Sequence, residues 1–243
     1  MILVSDMDKT VFFPDDPIRT KHNVEAIAKW KEAGNTFIVA TGRSIRSLNS
    51  IVNTWGGLRP DYCFCDGGLI IFDQNEQVVY ANTFNDEEER RVLSGLDGTG
   101  LNFVNVFYAT DSEGLEYRKK LTKIRFWFKE LADARRALGV LCDRGLRAFI
   151  CEDPGTSFYE PLREYESFVE VIPFVGGKEV AIKKFIQLFK ISEPLYVVGD
   201  SRNDEAMLAE FNGYMIANSN LDQAGARFAR TDSVADLIEM LME

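Results

Sequence analysis

Short β-rich runs that end in polar clusters and lead into helix-period stretches recur at both ends of this 243-residue chain. That rhythm favours a parallel sheet covered by helices on both faces. Ile2–Ser5 runs into Asp6-Met7-Asp8, Thr36–Ala40 into Thr41-Gly42-Arg43, and Tyr62–Cys65 into Asp66-Gly67-Gly68. Leu195–Val198 runs in the same way into Gly199-Asp200. Thr20–Ala33, with Val24, Ile27, Ala28 and Trp30 at helical spacing, is followed by Gly34, and Arg43–Trp55 by Gly56-Gly57. Helices are also expected at Lys178–Phe189, Asn203–Phe211 and Val234–Met242, and strands at Leu69–Phe72, Val78–Tyr80 and Tyr214–Ala217.

Between these halves the order changes. Asn85–Leu96 reads as a charged amphipathic helix, Leu101–Tyr108 and Leu121–Phe128 as antiparallel strands, and Leu131–Arg144 as a helix. Strand-like runs follow at Leu146–Cys151 and Phe168–Pro173. The expected architecture is α/β: a doubly wound parallel sheet core from residues 1–82 and 173–243, with an inserted α+β cap domain over 83–172.

Composition narrows the function. A hydrophobic content of 46% can fill a real interior. Twenty-eight basic against 38 acidic residues give a charge of −10, which argues against nucleic acid and anionic membrane as partners. No run of about 18 apolar residues exists, and MILVSDMDKT lacks the layout of a signal peptide, so the protein is read as cytoplasmic. The single histidine, His22, excludes Ser–His, Cys–His and multi-histidine zinc chemistry. Cys63, Cys65, Cys142 and Cys151 are read as buried reduced thiols. The oligomeric state is left open.

In open α/β sheets, ligands bind outside the carboxyl ends of the strands. Asp6/Asp8/Thr10, Thr41/Arg43, Lys178 and Asp200/Asn203/Asp204 are therefore expected to share one crevice. Magnesium prefers oxygen ligands and takes one or two carboxylates beside water and a substrate phosphate. Asp6 and Asp200 suit that role, with Asp8 and Asp204 completing the acidic set and Asp204 orienting a bound water or Asn203. A carboxylate attacks a phosphate dianion only where cations cancel the repulsion, which calls for magnesium, Lys178 and Arg43. Asp6 is then the nucleophile that forms an acyl phosphate, and Asp8 the acid and later the base. Thr41 and backbone N–H groups near Met7 and Gly42 steady the phosphoryl group.

Taken in order, Asp6-Met7-Asp8-Lys9-Thr10, Thr41-Gly42-Arg43, Lys178 and Gly199-Asp200-Ser201-Arg202-Asn203-Asp204 resemble the four motifs of the haloacid dehalogenase superfamily of phosphohydrolases. The resemblance implies a magnesium-dependent phosphatase acting on a small phosphorylated molecule. The insert between the second and third motifs resembles the α/β-capped subgroup. The length and the fourth motif look most like the sucrose-phosphate and mannosylglycerate-phosphate phosphatase branches, which implies a sugar phosphate. Lys9 stands where the family usually has glycine. The cap is expected to close over the crevice and touch the leaving group. Substrate contacts are assigned to Gly42, Arg43, Asp66, Gly67 and Asn203, and to Lys123 and Arg125 of the basic stretch that includes Arg118-Lys119-Lys120. The alternative for the last group is one wet, charged face of a sheet, and Trp127 alternates onto the same side. Two other functions share the acids: a phosphomutase that returns the phosphoryl group to its sugar, and a phospho-aspartate signalling module. The latter is about half this length and lacks the insert and the Asn203-Asp204 pair.

Overall fold

The computed structural model describes residues 1–55, 58–101, 105–110, 121–151, 167–217 and 227–243. The helix stop read at Gly56-Gly57, the first part of the strand read at Leu101–Tyr108, and Arg118-Lys119-Lys120 lie outside the described residues. The chain divides into two compact units, Met1–Tyr80 with Gly176–Glu243, and Ala81–Val175.

The first unit is built on an eight-stranded sheet. Its strands are β1 (Ile2–Ser5), β2 (Thr36–Ala40), β3 (Tyr62–Cys65), β4 (Ile70–Asp73), β5 (Val78–Ala81), β10 (Leu195–Gly199), β11 (Asn212–Ile216) and β12 (Ala229–Thr231), in the spatial order β12-β11-β10-β1-β2-β3-β4-β5. β12 through β3 are parallel, and β4 turns back antiparallel to β3. β1 pairs with β2 on one side and β10 on the other. The winding reverses between β1 and β10, which opens a crevice at their carboxyl ends. An aspartate directly follows each strand, Asp6 after β1 and Asp200 after β10.

Strand alternation sorts the core. Ile2, Val4, Ile38, Ala40, Leu195 and Val197 face α5 (Lys178–Phe189), whose Ala181, Ile182 and Phe185 cover them. Leu3, Phe37 and Val39 are equally buried on the opposite pleat. Helices α1 (Pro17–Glu32) and α7 (Val234–Met242) pack on one another, and α1 packs on β2. Two further α-helices of this unit are α2 (Ile45–Thr54), capped by the Ser44 hydroxyl, and α6 (Glu205–Glu210). Helix α1 begins at Pro17, three residues before the expected start. The Asp16 carboxylate accepts from the Arg19 N–H at 3.0 Å, and proline is tolerated where no intrahelical donor is needed. β12 has no counterpart in the expected elements: its three residues show no alternation, and it exists through its pairing with β11.

The second unit is a four-stranded antiparallel sheet in the order β6-β7-β9-β8, formed by β6 (Asn105–Thr110), β7 (Leu121–Phe128), β8 (Arg147–Cys151) and β9 (Ser167–Ile172). α3 (Asp86–Leu93) and α4 (Leu131–Asp143) supply Val92, Ala134, Ala137 and Leu141 to a core with Ile124, Phe126, Phe128, Val169 and Val171. The other side of β7 carries Lys123, Arg125 and Trp127, and it is no wet face: Lys123 and Trp127 are buried. The thiols also depart from expectation. Cys63 and Cys65 are buried, burial pushing the Cys63 thiol up to about 12, whereas Cys142 is exposed and Cys151 half-buried. Among the described residues no helix is long and apolar enough to cross a membrane.

Candidate active site

Asp6, Thr41 and Asp200 directly follow β1, β2 and β10 at the carboxyl edge of the sheet, and Lys178 reaches Asp6 there from α5. The Asp6 N–H donates to the Val198 carbonyl of β10 at 2.9 Å. The chain then leaves the strand and turns: the Val11 and Phe12 amides both donate to the Met7 carbonyl, at 3.1 and 2.9 Å, and Lys9 takes a φ of +60°. The turn takes Asp8 off the line of β1. The Asp8 carboxylate is held by Arg43, whose Nε and Nη2 donate to its two oxygens at 2.7 and 2.6 Å. This forked pair keeps the guanidinium more basic than usual, and Ser47 accepts from its third nitrogen at 3.0 Å.

The centre of the site is a buried ammonium between two buried carboxylates. Lys178 Nζ donates to Asp6 Oδ1 at 2.5 Å and to Asp204 Oδ1 at 2.7 Å. Lys178 opens α5, so the positive end of that helix adds to its own charge. Burial alone would lower the Lys178 pKa, but Asp6 and Asp204 reverse the sign and raise it. The second oxygen of Asp204 accepts from the amides of Asp200 and Ser201, each at 3.1 Å, and from the Ser201 hydroxyl at 3.0 Å. Asp204 therefore braces the loop after β10 and has little capacity left. Gly199 makes room for it, because a Cβ there would lie 2.5 Å from the Asp204 carboxyl carbon.

Carboxylate oxygens of Asp6, Asp200 and Asp204 lie within 4.8 Å of one another. Three such groups against one ammonium leave an excess of two negative charges. Burial, with Asp204 and Asp200 adding to it, pushes the Asp6 carboxyl up to about 7 despite Lys178. Burial and Asp204 likewise push Asp200 up to about 6. A divalent cation matches that donor set in charge and ligand type. Of the three, Asp6 and Asp200 could hold it, since Asp204 is taken up by Lys178 and the loop after β10. The Asp8 carboxylate, read from the sequence as a further ligand, is engaged by Arg43 and lies outside the trio.

The remaining positions fall as follows. Thr41 is buried, and its hydroxyl oxygen accepts from the Arg43 amide at 3.2 Å, which leaves its own proton to donate. Asp66 is buried with φ +53°, and the loop it starts is laced to the second motif: the Asp66 amide donates to the Arg43 carbonyl and the Gly67 amide to the Thr41 carbonyl, both at 2.8 Å. Gly42 and Asn203 are exposed. Lys123 and Arg125 belong to the second unit, where both pair with Glu170, at 3.9 and 2.5 Å. Thr10, grouped with Asp6 and Asp8 from the sequence, donates to Asp6 Oδ2 at 3.4 Å. One contact bearing on the site was missed from the sequence. Gly68 supports the start of α5, and nothing in the sequence pattern announces that contact.

A parallel sheet with its reversal at an aspartate-bearing crevice, and a lysine clamped between acids there, define a class of α/β enzymes whose chemistry sits on the strand ends. Residues 3–136 match the model of the haloacid dehalogenase-like hydrolases, and the chain belongs to that family. It is a hydrolase of the haloacid dehalogenase type. Among solved structures it is similar to a haloacid dehalogenase-like hydrolase from Bacteroides thetaiotaomicron, at 15% identity and a TM-score of 0.73 over 99% of this chain and 98% of that one. A haloacid dehalogenase-like hydrolase from B. subtilis gives 15% and 0.72 over 100% and 99%. The sucrose-phosphatase of Synechocystis sp. PCC6803, solved with sucrose and phosphate, gives 20% and 0.67 over 100% and 96%. At these identities the likeness is one of fold. No curated protein matches the chain.

Proposed function

We propose that this protein is a magnesium-dependent phosphatase that hydrolyses a small organic phosphomonoester, a sugar phosphate, through an aspartyl-phosphate on Asp6. The observation that carries the reading is the Lys178 ammonium clamped between Asp6 and Asp204 beside the half-buried Asp200. A divalent ion bound by Asp6 and Asp200 would supply the charge neutralisation that lets two anions meet.

The side chains divide the work. Asp6 attacks phosphorus while the bond to the ester oxygen breaks. Asp8, in its protonated form, passes its proton to that oxygen. In the second half water attacks the phosphorus of the acyl phosphate, Asp8 takes the proton back, and inorganic phosphate and the Asp6 carboxylate are released. Thr41 donates its hydroxyl to the phosphoryl oxygens, and Lys178 balances charge on Asp6 and the transferred group. Arg43 holds Asp8 until a phosphate arrives to share the guanidinium. The sugar class takes support from the sucrose-phosphatase whose fold this chain shares over its whole length.

The test is turnover of phosphorylated sugars, polyols and nucleotides with and without magnesium, with the products identified. Release of inorganic phosphate is expected, and an isomerised monophosphate would mean a mutase instead. Asp6→Asn should abolish turnover in a folded protein, and wild-type rates from it would overturn the nucleophile.

A further inference from the structure

Asn23 takes no part in the chemistry, yet its buried amide joins two distant segments of the first unit. It lies on α1 with no solvent exposure. Its Nδ2 donates to the carbonyls of Thr10 at 3.3 Å and Val11 at 3.0 Å, and its Oδ1 accepts from the Ala235 amide at 3.1 Å. Only an amide offers two donors and an acceptor in that space. Ala235 is the second residue of α7, so its N–H has no partner within its own helix. The capping hydroxyl of Ser233 serves the Asp236 amide instead.

The other end of the link is the loop that carries Asp8. That loop is a closed turn: besides the two bonds to the Met7 carbonyl, the Lys9 amide donates to the Phe12 carbonyl at 2.8 Å. Lys9 sits in the left-handed region, which a lysine occupies only where its surroundings enforce it. Fixing Thr10 and Val11 therefore fixes Asp8. Thr10 is shared, its carbonyl on Asn23 and its hydroxyl on Asp6. A second link runs in parallel. The Thr20 hydroxyl accepts from the Phe13 amide at 2.9 Å, and the Arg19 guanidinium stacks 4.0 Å from the Phe13 ring while donating to the Asp232 carbonyl.

We propose that Asn23 is a positioning residue: by tying the Thr10 and Val11 carbonyls to the start of α7 it holds Asp8 where a proton can reach the leaving oxygen. This rests on the acid role given to Asp8 above. Asn23→Asp keeps an acceptor for Ala235 but removes the amide donors to the loop. Rates are measured on 4-nitrophenyl phosphate, whose leaving group needs little help from an acid, and on phenyl phosphate, whose leaving group needs much. A general acid contributes about 10²–10⁴-fold, so a displaced one should cost about tenfold more on the phenyl ester than on the nitrophenyl ester. A loss merely of folded protein would lower both rates alike. Equal losses, or none, overturn the proposal. If Asn23→Asp does not fold, Arg19→Leu decides through the parallel link, with a selective loss of about threefold expected and an unselective result overturning it. Asp8→Asn is run beside them. If it too loses equally on both esters, the acid assignment has failed; if it is selective and the Asn23 variant is not, the positioning role alone has failed.

Discussion

Gly68 lies directly against the residue pair that starts α5: a Cβ at position 68 would sit 2.6 Å from the Gly177 carbonyl oxygen and 2.9 Å from the Lys178 Cα. With φ at +90°, Gly68 also has a backbone that side chains avoid. Gly68→Ala is expected to cost about 2 kcal/mol or more, through strain and displaced backbone together. Because the displaced atoms carry the Lys178 ammonium, the proposed function expects turnover to fall about tenfold beyond the loss of folded protein. Thermal melts and active-site-normalised kinetics separate the two.

Lys178→Met should lower turnover by at least about 10³-fold, since the ammonium is the only cation bonded to both Asp6 and Asp204 among the described residues. Asp6 and Asp204 would then face one another uncompensated. Circular dichroism confirms folding, and kcat gives the effect.

Metal and pH are linked through the raised carboxyls. Burial puts Asp6 at about 7 and Asp200 at about 6 in the metal-free protein, whereas an unfolded aspartate titrates near 4. Both groups bind protons more tightly folded than unfolded, so rising pH withdraws stability between about pH 4 and 7. In EDTA the melting temperature should thus be higher near pH 5 than near pH 8. Magnesium should raise it most at pH 8, where both carboxyls must be charged. An equal effect of magnesium at both pH values would contradict the site.

In the second unit the sign is opposite. Burial pushes Glu170 upward, but Lys123 and Arg125 outweigh it and hold the carboxyl below its usual range. Its contribution is present above the unfolded value near 4.3 and is lost as pH falls below it. Glu170→Gln should cost about 2 kcal/mol at pH 7, because the buried Lys123 loses its carboxylate, and much less at pH 3. Melts at the two pH values test this.

Strand and helix limits were legible where one residue type dominates. Thr36–Ala40, Tyr62–Cys65, Leu121–Phe128, Lys178–Phe189 and Val234–Met242 form as their patterns indicate, because apolar periodicity and burial agree there. The four motifs were legible too, since acids at strand ends and a lysine at a helix start have few other uses together. Pairings across space were not. Nothing in the order of residues says that Arg43 grips Asp8, that Glu170 takes up Lys123 and Arg125, or that Asn23 meets Ala235. Such contacts depend on which loops fold onto each other, and a linear pattern holds no record of that.

The placing of β1 between β2 and β10 has a bearing on how the chain is made. One flank of this inner strand is supplied by Thr36–Ala40, close behind it, and the other by Leu195–Gly199, which follows the whole second unit in the chain. A nascent polypeptide that has delivered only its first half would hold an unpaired β1 edge, with Asp6 lacking Lys178. Such an intermediate is prone to stray strand pairing, so Asp6 is enclosed only after Leu195–Gly199 has been made.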